Sequence, residues 1–112
     1  MLAGCAPWPE DFAKKYRDLG YWQGLTLTDL LARSIRRAPD KTALVHCGER
    51  IDYRALGQSV DRLACGFIDA GIRPLDRVVV QLPNIPEFVY TYFALARIGA
   101  IPVTALRAHR QT

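Results

Sequence analysis

Residue types able to move protons, attack carbonyls or hold metals are sparse here. The 112 residues contain two histidines, two serines, three cysteines and three lysines. No two glycines stand in G-x-G spacing, which a dinucleotide-binding turn needs, and no glycine precedes a lysine, as a P-loop requires. Ser34 and Ser59 lack the flanking glycines of a nucleophile elbow. His46 and Cys47 adjoin each other at a predicted strand end. A metal site needs three or four convergent ligands, and a catalytic Cys–His pair meets in space rather than along the chain, so both are read as turn or core residues. Glu10-Asp11 is read as a helix-start pair, and Tyr53 and Tyr92 as packing residues. No catalytic, cofactor-binding or metal-ligating residue is assigned. Two places remain where function often lives. Leu82-Pro83-Asn84 follows the end of a predicted parallel strand, and His109-Arg110 follows the next strand end on the same side. Ligands of open α/β sheets bind at those carboxyl ends.

The elements that must position these groups follow from hydrophobic spacing. Phe12, Tyr16 and Leu19 mark one face of a helix over Glu10 to Leu19, with Pro9 in its first turn and Gly20 as its stop. A second helix starts near Thr26, where Thr26-x-x-Asp29 is a capping-box variant. Its buried face is Leu27, Leu30, Leu31 and Ile35, and Pro39 ends it. Thr42–His46 and Arg50–Tyr53 read as a hairpin around a Gly48-Glu49 turn. Asp52 is placed to cap a long helix reaching Ala70, with Leu56, Val60, Leu63 and Phe67 inward and Gly71 at its end. Arg77–Leu82, with three consecutive valines, suits a strand covered on both faces. Asn84-x-x-Glu87 reads as a capping box for a helix to Ile98 that is apolar nearly all round and so should be deeply buried. Ala100-Ile101-Pro102-Val103 begins another strand. Residues 77–104 therefore form a βαβ unit, for which a right-handed crossover is expected.

Composition sets bounds. Half of the residues are hydrophobic and 23% are charged, a globular balance that excludes intrinsic disorder. Gly and Pro, 8 and 7 residues, show no period, which excludes collagen-like and linker-like chains. The net charge of +4 is spread evenly: nine basic against seven acidic residues over 1–56, and six against four over 57–112. Nucleic-acid binders concentrate their charge, so no nucleic-acid partner is expected. No apolar run approaches 18 residues, so no spanning helix is expected. The cysteines, Cys5, Cys47 and Cys65, are odd in number and lack C-x-x-C spacing, which fits free thiols in a reducing cytoplasm. Leu2-Ala3-Gly4-Cys5 is similar to a lipobox, but no apolar stretch precedes it.

An ordered set of residues then resembles a known family. Tyr53-x-x-Leu56, Leu63-Ala64, Gly71-Ile72, Asp76-Arg77-Val78, Gln81-Leu82-Pro83-Asn84, Glu87-Phe88, Phe93-Ala94-Leu95 and Gly99-Ala100-x-Pro102-Val103 resemble the N-terminal stretch of the acyl- and aryl-adenylate-forming (AMP-binding) enzymes. Trp8-Pro9-Glu10, Tyr16, Gly20-Tyr21-Trp22 and Ala105-Leu106-x-Ala108-His109-Arg110 look like the stand-alone aryl-acid ligases of siderophore biosynthesis, most of all the 2,3-dihydroxybenzoate–AMP ligases. The family usually has Pro where this chain has Arg107.

The resemblance implies an activity that composition does not show. An aryl acid, 2,3-dihydroxybenzoate or similar, reacts with ATP and Mg to an aryl adenylate with release of pyrophosphate. The aryl group then passes to the phosphopantetheine thiol of an aryl carrier protein. Such chemistry suits a lysine that stabilises developing charge and a Gly/Ser/Thr-rich phosphate loop. In the family these parts, with the aryl-acid pocket and the ribose-binding Asp, lie further along a chain several times longer. No family catalytic residue therefore maps onto this sequence, and ATP and Mg are not expected to be bound fully by it.

The expected architecture is α/β: N-terminal helices, a β-hairpin and a parallel βαβ unit, as the truncated start of an adenylation domain spanning 1–112. A two-strand parallel sheet with one helix leaves faces and edges uncovered, which motivates the expectation of truncation. The alternatives are a non-catalytic remnant or split-gene partner subdomain, and a fragment of a salicylate or acyl-CoA-type ligase.

Overall fold

The computed structural model describes residues 4–106. Leu2 and Ala3 of the lipobox-like tetrapeptide, Arg107, Ala108, and the candidate pair His109-Arg110 lie outside the described residues. The chain runs α1 (Glu10–Asp18), α2 (Leu27–Arg37), β1 (Thr42–His46), β2 (Glu49–Asp52), α3 (Tyr53–Asp69), β3 (Arg77–Val80), α4 (Pro86–Arg97) and β4 (Ile101–Thr104). This is the expected α/β order.

Local chemistry accounts for most boundaries. The Thr26 side chain accepts from the Asp29 N–H at 3.2 Å, and Asp29 Oδ2 accepts from the Thr26 N–H at 2.8 Å, completing the capping box of α2. Asp52 Oδ1 accepts from the Ala55 N–H at 2.7 Å and caps α3. At the end of α3 the Ile72 N–H donates to the Phe67 carbonyl and the Gly71 N–H to that of Ile68. Gly71 supplies the left-handed φ of +89° that this Schellman ending requires.

Three expected boundaries need correction. The hairpin turn is Cys47-Gly48, not Gly48-Glu49: His46 pairs with Glu49, and both turn residues have positive φ, 49° and 86°. Two successive positive φ values are the signature of a type I′ turn, whose twist matches the flanking strands. Tyr53 opens α3 instead of ending β2. The N-cap of α4 is Ile85, extended at φ −125°, ψ 164°, and no side chain caps it. Asn84 is exposed and one residue too early. The reason is Pro86, whose ring holds a helical φ and forces the residue before it out of the helix, so the helix starts at the proline itself.

Two apolar clusters hold the fold. The first joins Leu31 of α2, Leu56, Val60 and Ala64 of α3 and Ala94 of α4, with Leu44 and Ile51 of the hairpin against them. The second joins Val80, Leu95 and Ala100. Phe67 and Ile98 touch both. Val60 and Leu95 are fully buried, and no polar side chain is buried among the described residues. Gly57 lets α2 approach α3: a Cβ there would stand 2.6 Å from Ile35 Cδ1. Deep burial of α4 holds for Ala94 and Leu95, whereas Phe88, Val89, Tyr92 and Phe93 are only partly covered. On α2, Leu31 is buried but Leu27 and Leu30 are exposed, which narrows its expected inner face.

The parallel pair is β3 with β4, Arg77 opposite Ile101 and Val80 opposite Thr104. Helix α4 covers one face through Leu95 and Phe88. The other face is open, with Val79 68% and Val103 41% exposed. The strands start from a tight turn in which the Asp76 N–H donates to the Arg73 carbonyl at 3.1 Å, with Pro74 and Leu75 between.

Helix α1 stands apart from both clusters. Of its expected face, Phe12 and Tyr16 join an aromatic group, with Tyr16 5.5 Å from Trp22, 6.4 Å from Trp8 and 6.5 Å from Phe12 between ring centroids, whereas Leu19 is the exposed C-cap. A Schellman ending at Gly20 folds Tyr21 and Trp22 back, and both of their N–H groups donate to the Tyr16 carbonyl.

Candidate functional site

The carboxyl ends of β3 and β4 open into a groove of ≈ 520 Å³ lined by Leu82, Pro83, Asn84, Phe88, Thr104, Ala105 and Leu106. Backbone pairing builds it. The Ala105 N–H donates to the Val80 carbonyl at 3.0 Å, and Gln81 Nε2 donates to the Leu106 carbonyl at 3.0 Å, so the two strand exits are tied together. Pro83 and Pro86 stiffen the path from β3 into α4, and Phe88 in the first turn of α4 forms a wall.

The walls are apolar, and the polar side chains lining the groove are the Asn84 amide and the Thr104 hydroxyl. The size falls within the range of small-molecule sites. Such a groove can seat a flat or apolar group and orient it by one or two hydrogen bonds. Among the described residues its lining holds no carboxylate, imidazole, thiol or amine, so these residues supply no general acid or base. Mg favours oxygen-rich sets with carboxylates. The groove does not fit that ion by itself, and no step through Mg is assigned to its residues.

The structure thus places Leu82-Pro83-Asn84 in a groove, as their position after a parallel strand suggested. Sequence reasoning missed Thr104, Ala105 and Leu106. Their signal was the same one, a position just past a parallel strand.

The other candidates do not converge. Cys47 Sγ lies 3.4 Å from His46 Nε2 on the exposed hairpin tip, away from the groove-lining residues. Ser34 Oγ donates to the Leu30 carbonyl, and Ser59 Oγ accepts from Arg62. Glu10 pairs with Arg17. Tyr92 stacks on Phe88 at 6.3 Å. Among the described residues no three His, Cys, Asp or Glu side chains gather as a metal cluster, and no helix is long and apolar enough to cross a membrane.

Perturbed titrations also lie outside the groove. The Thr26 hydroxyl, then the Thr26 N–H, hold the Asp29 carboxyl below its ordinary value. The hydrogen bond to Asp40 raises Arg54. Burial, and then the charges of Glu87 and Glu49, raise the Tyr90 phenol. A second hollow of ≈ 680 Å³ lies between α3, α4 and residues 71–74, beside the ion pair of Arg97 with Asp61.

Comparison with known proteins gives this geometry a setting. Residues 31–111 match the family described as AMP-binding enzyme. The chain is 56% identical over 112 residues to triostin synthetase I of Streptomyces triostinicus, covering 100% of this chain and 21% of that protein. It is 47% identical over 112 residues to the 2,3-dihydroxybenzoate-AMP ligase of Bacillus subtilis (strain 168), again 100% of this chain and 21% of the relative. The apo structure of Mycobacterium smegmatis MbtA superposes with a TM-score of 0.90 at 44% identity, covering 96% of this chain and 20% of that one. The chain therefore spans about a fifth of the length of the relatives it matches.

Proposed function

This chain belongs to the AMP-binding enzyme family, its fold matching the N-terminal part of adenylate-forming enzymes, and on that premise we propose that it is the N-terminal portion of the adenylation domain of an aryl-acid–AMP ligase. The observation behind this reading is the match of all 112 residues to a 2,3-dihydroxybenzoate-AMP ligase at 47% identity. In this reading a carboxylate oxygen of 2,3-dihydroxybenzoate, or a similar aryl acid, attacks the α-phosphorus of ATP. The α–β phosphoanhydride breaks and pyrophosphate leaves. The thiol of a carrier-protein phosphopantetheine then displaces AMP from the aryl carbonyl. The setting is siderophore biosynthesis in the cytoplasm.

The residues described here supply scaffold and not chemistry. The βαβ unit fixes the strand-end groove, and its apolar walls and the Asn84 amide suit positioning of a neighbouring segment or ligand. Developing phosphate charge needs cationic donors, which the family resemblance implies lie further along a longer chain. The full chain alone should therefore give no ATP–pyrophosphate exchange above a no-enzyme blank.

The test replaces the matching stretch of the Bacillus subtilis ligase with this chain and measures exchange dependent on 2,3-dihydroxybenzoate, salicylate and fatty acids. Exchange driven by an aryl acid supports the reading. A folded chimera with no exchange, or exchange driven only by fatty acids, refutes it.

A further inference from the structure

Helix α2 turns two different faces in opposite directions. Leu31 and Ile35 face inward and belong to the first apolar cluster. On the outer side Leu30, Arg33 and Arg37 fall within about 60° of one another and span about 10 Å, at 3.6 residues per turn and 1.5 Å per residue. Leu30 is 46% exposed, and both arginines are exposed. Leu30 also lines a hollow of ≈ 490 Å³ with Tyr21, Trp22, Gln23, Gly24 and Leu25. An apolar socket thus opens at one end of this face, and two guanidinium groups follow it along the helix.

The two cations are unmatched. Arg36, further round the helix, favours the charged form of Asp29. Arg33 and Arg37 take part in none of the ion pairs or side-chain hydrogen bonds among the described residues. Charge therefore decides what the face can meet. Burying two unpaired guanidinium groups is costly unless the covering surface brings carboxylates. Nucleic-acid affinity needs many phosphate contacts, and two cations beside an apolar socket supply few. A membrane-surface helix needs a free apolar face, and that of α2 is spent on the core. What remains is a protein segment with one apolar anchor and two carboxylates. Arginines beside an apolar anchor are characteristic of protein interfaces, and the spacing i, i+3, i+7 is complemented by a helix lying alongside.

We propose that the outer face of α2 docks an acidic amphipathic helix of another protein, with an apolar side chain in the hollow beside Leu30 and carboxylates on Arg33 and Arg37. This gives α2 a role separate from the strand-end groove.

The test uses the full chain and a fluorescein-labelled, alanine-based helical peptide. The peptide carries one Leu, with Glu three and seven residues away, and is made in both chain directions. Fluorescence anisotropy at low salt measures binding, which should weaken as added salt screens the pairs. Replacing both Glu by Gln in the peptide should weaken binding roughly fivefold, the effect expected of two exposed ion pairs. Arg33→Gln with Arg37→Gln in the chain should weaken it equally, and combining the two changes should add nothing further. Arg62→Gln, on α3, should leave binding unchanged. The peptide variants keep the test valid whatever the arginine changes do to folding. No binding of the peptide, equal binding of its Gln version, or equal weakening by Arg62→Gln overturns the proposal. Tighter binding of single-stranded DNA or anionic vesicles, lost in the double arginine variant, would assign the face to that class and overturn it too. Self-association of the chain lost in that variant would assign the face to a second copy, with the same consequence.

Discussion

At position 75 the usual ranking of alanine over glycine should invert. Leu75 has a φ of +73° and is 60% exposed. It is held there from several sides. Its N–H donates to the Gly99 carbonyl at 2.8 Å, the Asp76 N–H closes the turn onto the Arg73 carbonyl, and Asp76 Oδ2 accepts from the Arg73 N–H at 2.8 Å. With Pro74 at the second position, this is the pattern of a type II turn, which favours glycine at the third. A Cβ in left-handed conformation costs roughly 1–2 kcal/mol. Glycine returns about 0.4–1 kcal/mol through its freer unfolded chain. Leu75→Gly and Leu75→Ala both lose the isopropyl group and differ only in Cβ, so comparing them isolates the backbone. Leu75→Gly should be the more stable by about 0.5–1 kcal/mol, or some 2–8 °C in melting temperature for a chain this long. Gly66, mid-helix with open space around its Cβ position, is the control: Gly66→Ala should stabilise by up to about 1 kcal/mol. The assay is thermal and urea unfolding of the three variants and the parent. If Leu75→Ala equals or exceeds Leu75→Gly, the turn is not strained and the reasoning fails.

Asp52→Ala should cost about 1 kcal/mol through its lost cap, whereas Asn84→Ala should change unfolding by less than about 0.5 kcal/mol; equal losses in urea titrations would restore Asn84 as a cap. Asp29 has its folded-state pKa depressed by hydrogen bonds from Thr26, so its contribution is full above the unfolded carboxylate value and is lost as pH falls through the depressed one. Melting temperatures of the parent and Asp29→Asn should differ at neutral pH and converge once pH has fallen below the ordinary carboxylate value of about 4 and through the depressed one; a gap constant with pH would rule this out. The isolated chain should bind a dye specific for apolar surface, because Val79, Val103 and the aromatic group are uncovered. A sharp unfolding transition without dye binding would contradict that.

What the sequence disclosed followed how local each signal was. The capping box at Thr26, the Asp52 cap and the Gly71 ending depend on side chains within three or four residues, and all appear as read. The βαβ order was legible from three consecutive valines, an apolar helix and a second strand. The errors arose where two local signals competed. Asn84-x-x-Glu87 fits a capping box, but Pro86 fixes the helix start more strongly than a cap does. At the hairpin, Gly48 was recognised as a turn residue, and pairing of His46 with Glu49 moved the turn back onto Cys47. Burial was least legible. The spacing of Leu27, Leu30 and Leu31 marks one helix face without saying how much of that face meets a partner. Of the groove, the β3 side was visible from strand polarity, while attention on the β4 side fell on His109-Arg110 instead of Thr104 to Leu106.

Pro102 has a consequence for how these chains meet one another. The N–H groups of Ile101 and Ala105 point toward β3, bonding to the carbonyls of Asp76 and Val80. Strand alternation then directs residue 102 to the far edge of β4, where proline has no N–H to offer. A strand arriving there from another molecule would find its ladder broken midway. The outer edge of β4 is thus poor ground for edge-to-edge growth, even though its face is apolar. Sticking between copies should proceed through side-chain faces, reversibly and without strand order, rather than through fibril-like extension of this sheet at β4.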